Sequence, residues 1–197
     1  MQFEDGKLYH IYNIGNQKQK IFYRRDNYLF FLKKMRNYLI PVCDILAWCL
    51  MPNHFHLLIA ANQETVKQAS RRKNPISQFS ENLRLLLSQY TKTVNKQENL
   101  TGSLFRQNTK SKSLFQINTN RYALVCFHYI HRNPLNAGLV SSLFDWEFSS
   151  FLDHAEVRNG TMCNRQLAKT IINYDEINLE LQTLSFANSD YEKFIWQ

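Results

Sequence analysis

The stretch Met51-Pro52-Asn53-His54-Phe55-His56-Leu57-Leu58-Ile59 is an apolar run of strand length that carries two histidines one residue apart. Side chains alternate faces along a strand, so His54 and His56 project to one side and Phe55, Leu57 and Ile59 to the other. Two neutral imidazoles held close together on a rigid strand make half of a divalent-metal site. A single inward histidine is more often a hydrogen-bonded core residue, and the spacing alone does not separate the two readings.

Working outward, residues 42–50 form a second apolar strand, and Met51-Pro52-Asn53 joins the two as a hairpin in the middle of a sheet. Residues 7–14 are rich in β-branched and aromatic side chains and read as a first strand. Between them, Tyr28, Phe31, Leu32, Met35 and Leu39 recur at helical steps, with Asp26 as the expected N-cap and Pro41 as the stop. After a polar loop, Asn74-Pro75 starts a long helix whose stripe is Phe79, Leu83, Leu86, Tyr90 and Val94. Residues 110–115 supply a further strand. The order strand, helix, strand, strand, helix, strand predicts an α+β fold with a ferredoxin-like antiparallel sheet and packed helices. A further helix over 121–132 is capped by Asn118, Thr119 or Asn120 and ended by Pro134. Phe144, Trp146, Phe148 and Phe151 seal a core edge, and 166–172 and 175–184 read as short helices. The expected division is a catalytic domain over 1–152 and a mostly helical C-terminal extension over 153–197.

At 197 residues with 44% hydrophobic side chains, the chain is long and apolar enough for a substantial core, which excludes a disordered chain. Cys43, Cys49, Cys126 and Cys163 fit no zinc ribbon or C-x-x-C spacing and read as reduced thiols of a cytosolic protein. No run reaches the length of a membrane span, and no signal-peptide pattern opens the chain. The net charge of +8 is uneven. Up to Leu135 there are 20 Lys+Arg against 7 Asp+Glu, and from Asn136 onward 4 against 9. The basic part suits a polyanion such as nucleic acid.

The 121–132 helix carries Tyr129, and Asn133 lies four residues on, on the same face if the helical turn persists. A phenolate can attack a phosphate and form a covalent intermediate. A divalent ion held by His54, His56 and the Asn133 amide oxygen would polarise that phosphate. His128 and His131 flank the site and read first as surface packing residues, with a proton-shuttle role for either as the alternative. The bland alternatives are that Tyr129 packs and that Asn133 is a helix-end turn residue.

Three motifs together resemble the single-domain HUH transposases with one catalytic tyrosine, and most of all their REP-associated branch. Trp48 to Leu58 resembles the family's H-hydrophobic-H strand with its Met-Pro-Asn lead-in. Gly102-Ser103-Leu104-Phe105-Arg106-Gln107-Asn108-Thr109-Lys110 resembles the G-x-L-(F/W)-Q-x-R-(F/Y)-K segment. Tyr129-Ile130-His131-Arg132-Asn133-Pro134-Leu135-Asn136-Ala137-Gly138-Leu139-Val140 resembles Y-(I/V)-x-x-N-P-x-x-A-G-L-V. The opening Tyr9 to Gly15 is similar to the family's first strand, with Ile14 where Arg is common, and Arg106-Gln107-Asn108 replaces the usual Gln-x-Arg order.

The resemblance implies cleavage of single-stranded DNA by Tyr129, giving a 5′-phosphotyrosine and a free 3′-OH, as in DNA transposition at hairpin or palindromic repeats. It implies His54, His56 and Asn133 as ligands of Mg²⁺ or Mn²⁺, and a bacterial cytoplasmic protein that joins the nucleoid when on DNA. Wider relatives act as homodimers and REP-associated ones as monomers, so either state is open. The expected DNA contacts are Lys18, Lys20, Arg24 and Arg25, then Arg71, Arg72 and Lys73, then Arg106, Lys110 and Lys112, with Phe22, Tyr23 and Phe105 as candidate stacking platforms. Two rivals stand beside this reading. One is a domesticated, catalytically idle protein that binds hairpin DNA. The other is a histidine-triad-like nucleotide hydrolase, for which Leu58 stands where a third alternate histidine is needed.

Overall fold

The computed structural model describes residues 1–69, 75–114 and 119–186, with the backbone alone at 119 and 120. The expected DNA contacts Arg71, Arg72 and Lys73, the expected caps Asn74 and Asn118, and the 187–197 end of the C-terminal extension lie outside the described residues.

Strands β1 (Leu8–Ile14), β2 (Asp44–Met51), β3 (His54–Ala60) and β4 (Lys110–Ser113) form one antiparallel sheet in the order β2-β3-β1-β4. With the helices between them, this is the ferredoxin-like α+β arrangement expected. The hairpin turn between β2 and β3 is clamped from outside. The amides of Ile21 and Phe22 both donate to the Pro52 carbonyl, and that of Gly15 to the Asn53 carbonyl, at 2.8, 3.1 and 2.7 Å.

Helices α1 (Arg25–Tyr38) and α3 (Gln78–Glu98) cover one face of the sheet; α2 (Gln63–Val66) is a single turn. There Phe31, Met35, Leu83 and Leu86 bury against Ile11, Phe55, Leu57 and Ile59. The opposite face is covered by α4 (Thr119–Asn136), which sets Cys126 and Ile130 against Ala47, Cys49 and Leu58. Short helices α5 (Phe151–His154), α6 (Arg165–Ile172) and α7 (Leu179–Ser185) finish that layer through Phe151, Ile172 and Leu179. A register shift between Ile45 and Ala47 turns both Leu46 and Ala47 toward this second core. The four cysteines are free thiols. No described helix is long and apolar enough to cross a membrane.

Three helix ends differ from the sequence expectation. Asp26 is not the N-cap of α1 but sits in its first turn. The cap position is Arg24, and Asn27 reaches back to accept from the amides of Tyr23 and Arg24, each at 3.0 Å. Helix α3 starts at Gln78, after the expected Pro75, and the Ala69 amide donates to the Ile76 carbonyl just before it. Ser77 then caps it, accepting from Ser80 N at 3.2 Å. Helix α4 does not stop before Pro134 but runs through it to Asn136. Proline removes one donor, yet the ladder resumes at once with Ala137 N to Asn133 O at 3.0 Å.

Candidate functional site

The alternation along β3 places His54 and His56 on the α4 face, as Phe55 and Leu57 fill the α1/α3 core. In the β1 register Tyr12 lies opposite His56, and His10 opposite Leu58. Opposed residues of an antiparallel pair share a face, so His10 and Tyr12 stand beside the two histidines. On the far side of β1, Lys110 pairs with Tyr12 and Lys112 with His10, which brings both lysines to the same face.

Helix α4 delivers Tyr129 and Asn133 over this row. The Tyr129 ring meets His56 edge to face, with centroids 5.5 Å apart at 81°, and His10 at 6.3 Å and 78°. His54 and His56 are 4.9 Å apart. The continuation of α4 through Pro134 is what keeps Asn133 on the Tyr129 face. The Asn133 Nδ2 donates to the Tyr129 carbonyl at 2.8 Å, which leaves the amide oxygen as the acceptor on the His54 side. His10 and His56 are wholly buried, Tyr129 is 8% exposed and Asn133 9% exposed. Access therefore runs past His54, Tyr129 and Asn133.

The imidazoles are held neutral. Burial pushes His54 down to about 4, opposed by the neighbouring Asn133 amide. Burial, with help from Lys112, takes His10 to about 3. His56 falls well below the usual histidine value through burial and through the His54 and His10 rings beside it. Neutral imidazole is the form that ligates a metal. The Nε2 atoms of His54 and His56 are both buried without a hydrogen-bond partner, and such orphans in a native interior call for a role. No group of three or more His, Cys, Asp or Glu fit for a metal occurs among the described residues. A divalent cation here would take two imidazole nitrogens and an amide oxygen, leaving positions for water or phosphate.

His10 was not legible as a site residue in the sequence. Its signal was its place two residues from Tyr12 in a strand, and that needed the strand order to be known. His128 and His131 point away from the site into the C-terminal layer. His128 Nδ1 pairs with Thr183 Oγ1 and His131 Nε2 with Ser150 Oγ, each at 2.8 Å, and both residues are buried, so they pack in the interior and not on the surface.

The expected DNA contacts divide. Lys18, Lys20, Arg106 and Lys110 are exposed. Arg25 is engaged by Glu147 through two bonds at 2.9 and 2.8 Å, and Arg24 lies 3.3 Å from Glu98. Phe22 and Phe105 are core residues, 2% and 5% exposed, and not stacking platforms. Arg106 lines a cavity of about 650 Å³ between α3 and the 102–109 loop, together with Asn13, Arg84 and Lys92. That cavity opens on the side of the sheet away from the histidines.

The antiparallel α+β fold, a helix-borne tyrosine and paired strand imidazoles define the class of structure to compare. The chain has the fold of a solved REP-associated tyrosine transposase bound to a REP hairpin, with a TM-score of 0.55, 18% identity, and coverage of 81% of this chain and 84% of that one. A bacterial tRNA(His) guanylyltransferase-like protein in complex with GTP matches at a TM-score of 0.41 and 8% identity, over 71% of this chain and 69% of that one. No protein-family model and no curated protein matches the chain.

Proposed function

We propose that this chain is a metal-dependent, transposase-type endonuclease and strand transferase acting on single-stranded DNA next to a hairpin. The observation that carries this reading is the placement of the Tyr129 ring 5.5 Å from His56, over two imidazoles whose Nε2 atoms have no other partner. The fold shared with a hairpin-bound tyrosine transposase supports it.

In this reading His54 Nε2, His56 Nε2 and the Asn133 amide oxygen hold Mg²⁺ or Mn²⁺. When bound, the ion supplies Lewis-acid polarisation of a phosphate and a template for in-line attack. Lys110 and Lys112, on the same face, offset the charge of the phosphodiester. The Tyr129 phenol loses its proton and its oxygen bonds to phosphorus. The phosphorus–O3′ bond breaks, and O3′ leaves and takes a proton to become the 3′-hydroxyl. One phosphodiester is exchanged for another, so rejoining by the reverse path needs no nucleotide triphosphate.

The low exposure of Tyr129 favours a second reading, a hairpin-DNA binder that does not cut. Incubation with a labelled hairpin oligonucleotide carrying a single-stranded flank, in Mg²⁺ or Mn²⁺, separates the two. The expected result is cleavage that Tyr129→Phe abolishes. Binding without cleavage under both metals would leave the second reading standing.

A further inference from the structure

The two strand histidines are each engaged at Nδ1. For His54 the partner is Asn53 Oδ1 at 2.6 Å, and the other end of that amide donates to the Lys18 carbonyl at 3.4 Å. An amide oxygen only accepts, so His54 carries its proton on Nδ1 and leaves Nε2 bare. For His56 the partner is His10 Nε2 at 2.9 Å, with the rings stacked at 5.0 Å and 21°. Tyr12 stacks on the other ring of the pair, His10, at 4.9 Å and 27°, which fixes the plane of His10.

We propose that His10 does for His56 what Asn53 does for His54: its Nε2 accepts the Nδ1–H of His56 and keeps the His56 Nε2 free of a proton. His10 is then a positioning residue, set by the neighbouring strand, that acts through His56. The consequence rests on the metal-dependent reading above. Two bare nitrogens on rings 4.9 Å apart form a preorganised pair of donors for a divalent cation, and the outer acceptor fixes ring orientation and raises ligand basicity. A third feature agrees. His10 is fully buried in the face of the sheet that α4 closes, where a hydrogen bond between two rings is shielded from competing water.

Long-range ¹H–¹⁵N correlation spectra of the metal-free, ¹⁵N-histidine-labelled full chain read the tautomer of each ring. The expected wild-type spectrum has His56 protonated on Nδ1 and His10 bare at Nε2. A wild-type His56 protonated on Nε2 overturns the proposal, with no variant required. His10→Phe should move the His56 proton to Nε2, whereas His10→Gln, which offers an amide oxygen near the same place, should not. By calorimetry with Mn²⁺, His10→Phe should bind about 10–100-fold more weakly than wild type, and His10→Gln within about threefold of it. A His10→Phe protein with wild-type tautomer and wild-type Mn²⁺ affinity also overturns the proposal. Should the wild type bind Mn²⁺ no better than His54→Ala, the metal reading falls instead, and the metal-free spectra still decide the role of His10.

Discussion

The Asn133 side-chain amide donates to the carbonyl of Tyr129 one turn earlier, at 2.8 Å, so the proposed third ligand and the proposed nucleophile are tied through a single hydrogen bond on a helix that crosses Pro134. This bond directs the amide nitrogen to the backbone and leaves the oxygen for the imidazole side. Asn133→Ala removes both. One hydrogen bond contributes about 1 kcal/mol, so the expected loss of Tm is a few degrees, while Mn²⁺-dependent cleavage falls by about 10–100-fold. Calorimetry and a cleavage time course check the pair; cleavage at the wild-type rate would remove Asn133 from the ligand set.

His54 and His56 should respond differently to alanine. His54 is half-buried at the start of β3, whereas His56 is wholly buried and bonded to His10. His54→Ala is expected to lose cleavage while keeping hairpin affinity and most of its Tm. His56→Ala leaves a cavity and removes the His10–His56 hydrogen bond, at a cost of about 2–4 kcal/mol, and should lose cleavage and several degrees of Tm together. Equal Tm values for the two variants would contradict the assigned burial.

Stability should fall in mild acid. All six histidines are held below their ordinary value, and three of them, His128, His131 and His154, lie away from the proposed metal ligands in the C-terminal layer. Burial is the main cause and takes His128 and His154 to about 4. The unfolded chain, titrating near 6.5, binds protons that the folded chain refuses between 6.5 and 4. The stabilisation is therefore complete above about 6.5 and is lost as the pH falls toward 4, by about 1.4 kcal/mol per unit for each such histidine. Tm measured from pH 7.5 down to 5 should drop steadily, and His154→Gln should flatten the slope. A Tm independent of pH over that range would show that these rings are not buried neutral.

DNA affinity should depend on β4 more than on α1. Lys110 and Lys112 face the imidazole row, and Arg25 on α1 is bonded to Glu147 away from it. Replacing either lysine by glutamine should lower the slope of log affinity against log salt by about 0.7 for a single strand. Arg25→Gln should leave it unchanged. A larger slope change for Arg25 than for Lys110 would move the DNA path to the α1 side.

Much of the sheet was legible because its signals are local. The alternation of His54-Phe55-His56-Leu57 told which side chains enter the core, and the four-residue step from Tyr129 to Asn133 gave a shared helical face on the condition that the helix reached Asn133. What was not legible depends on long-range placement. His10 became a site residue only once β1 was seen to lie beside β3. Arg24 and Arg25 looked free in the sequence, and their partners Glu98 and Glu147 come from distant segments. Phe22 and Phe105 sit among basic residues in sequence but are drawn into the α1/α3 core. Pro134 was read as a helix stop because a proline costs one bond locally, and burial against the second core outweighs that cost.

The most direct measurement is a peptide map of the adduct formed with a hairpin oligonucleotide in Mn²⁺. After denaturation and proteolysis, mass spectrometry should find the 5′-phosphorylated DNA fragment on the peptide that contains Tyr129, and none in Tyr129→Phe. A fragment attached to any other residue, or hairpin binding with no adduct in either Mg²⁺ or Mn²⁺, would contradict the placement of the phenol as the attacking group.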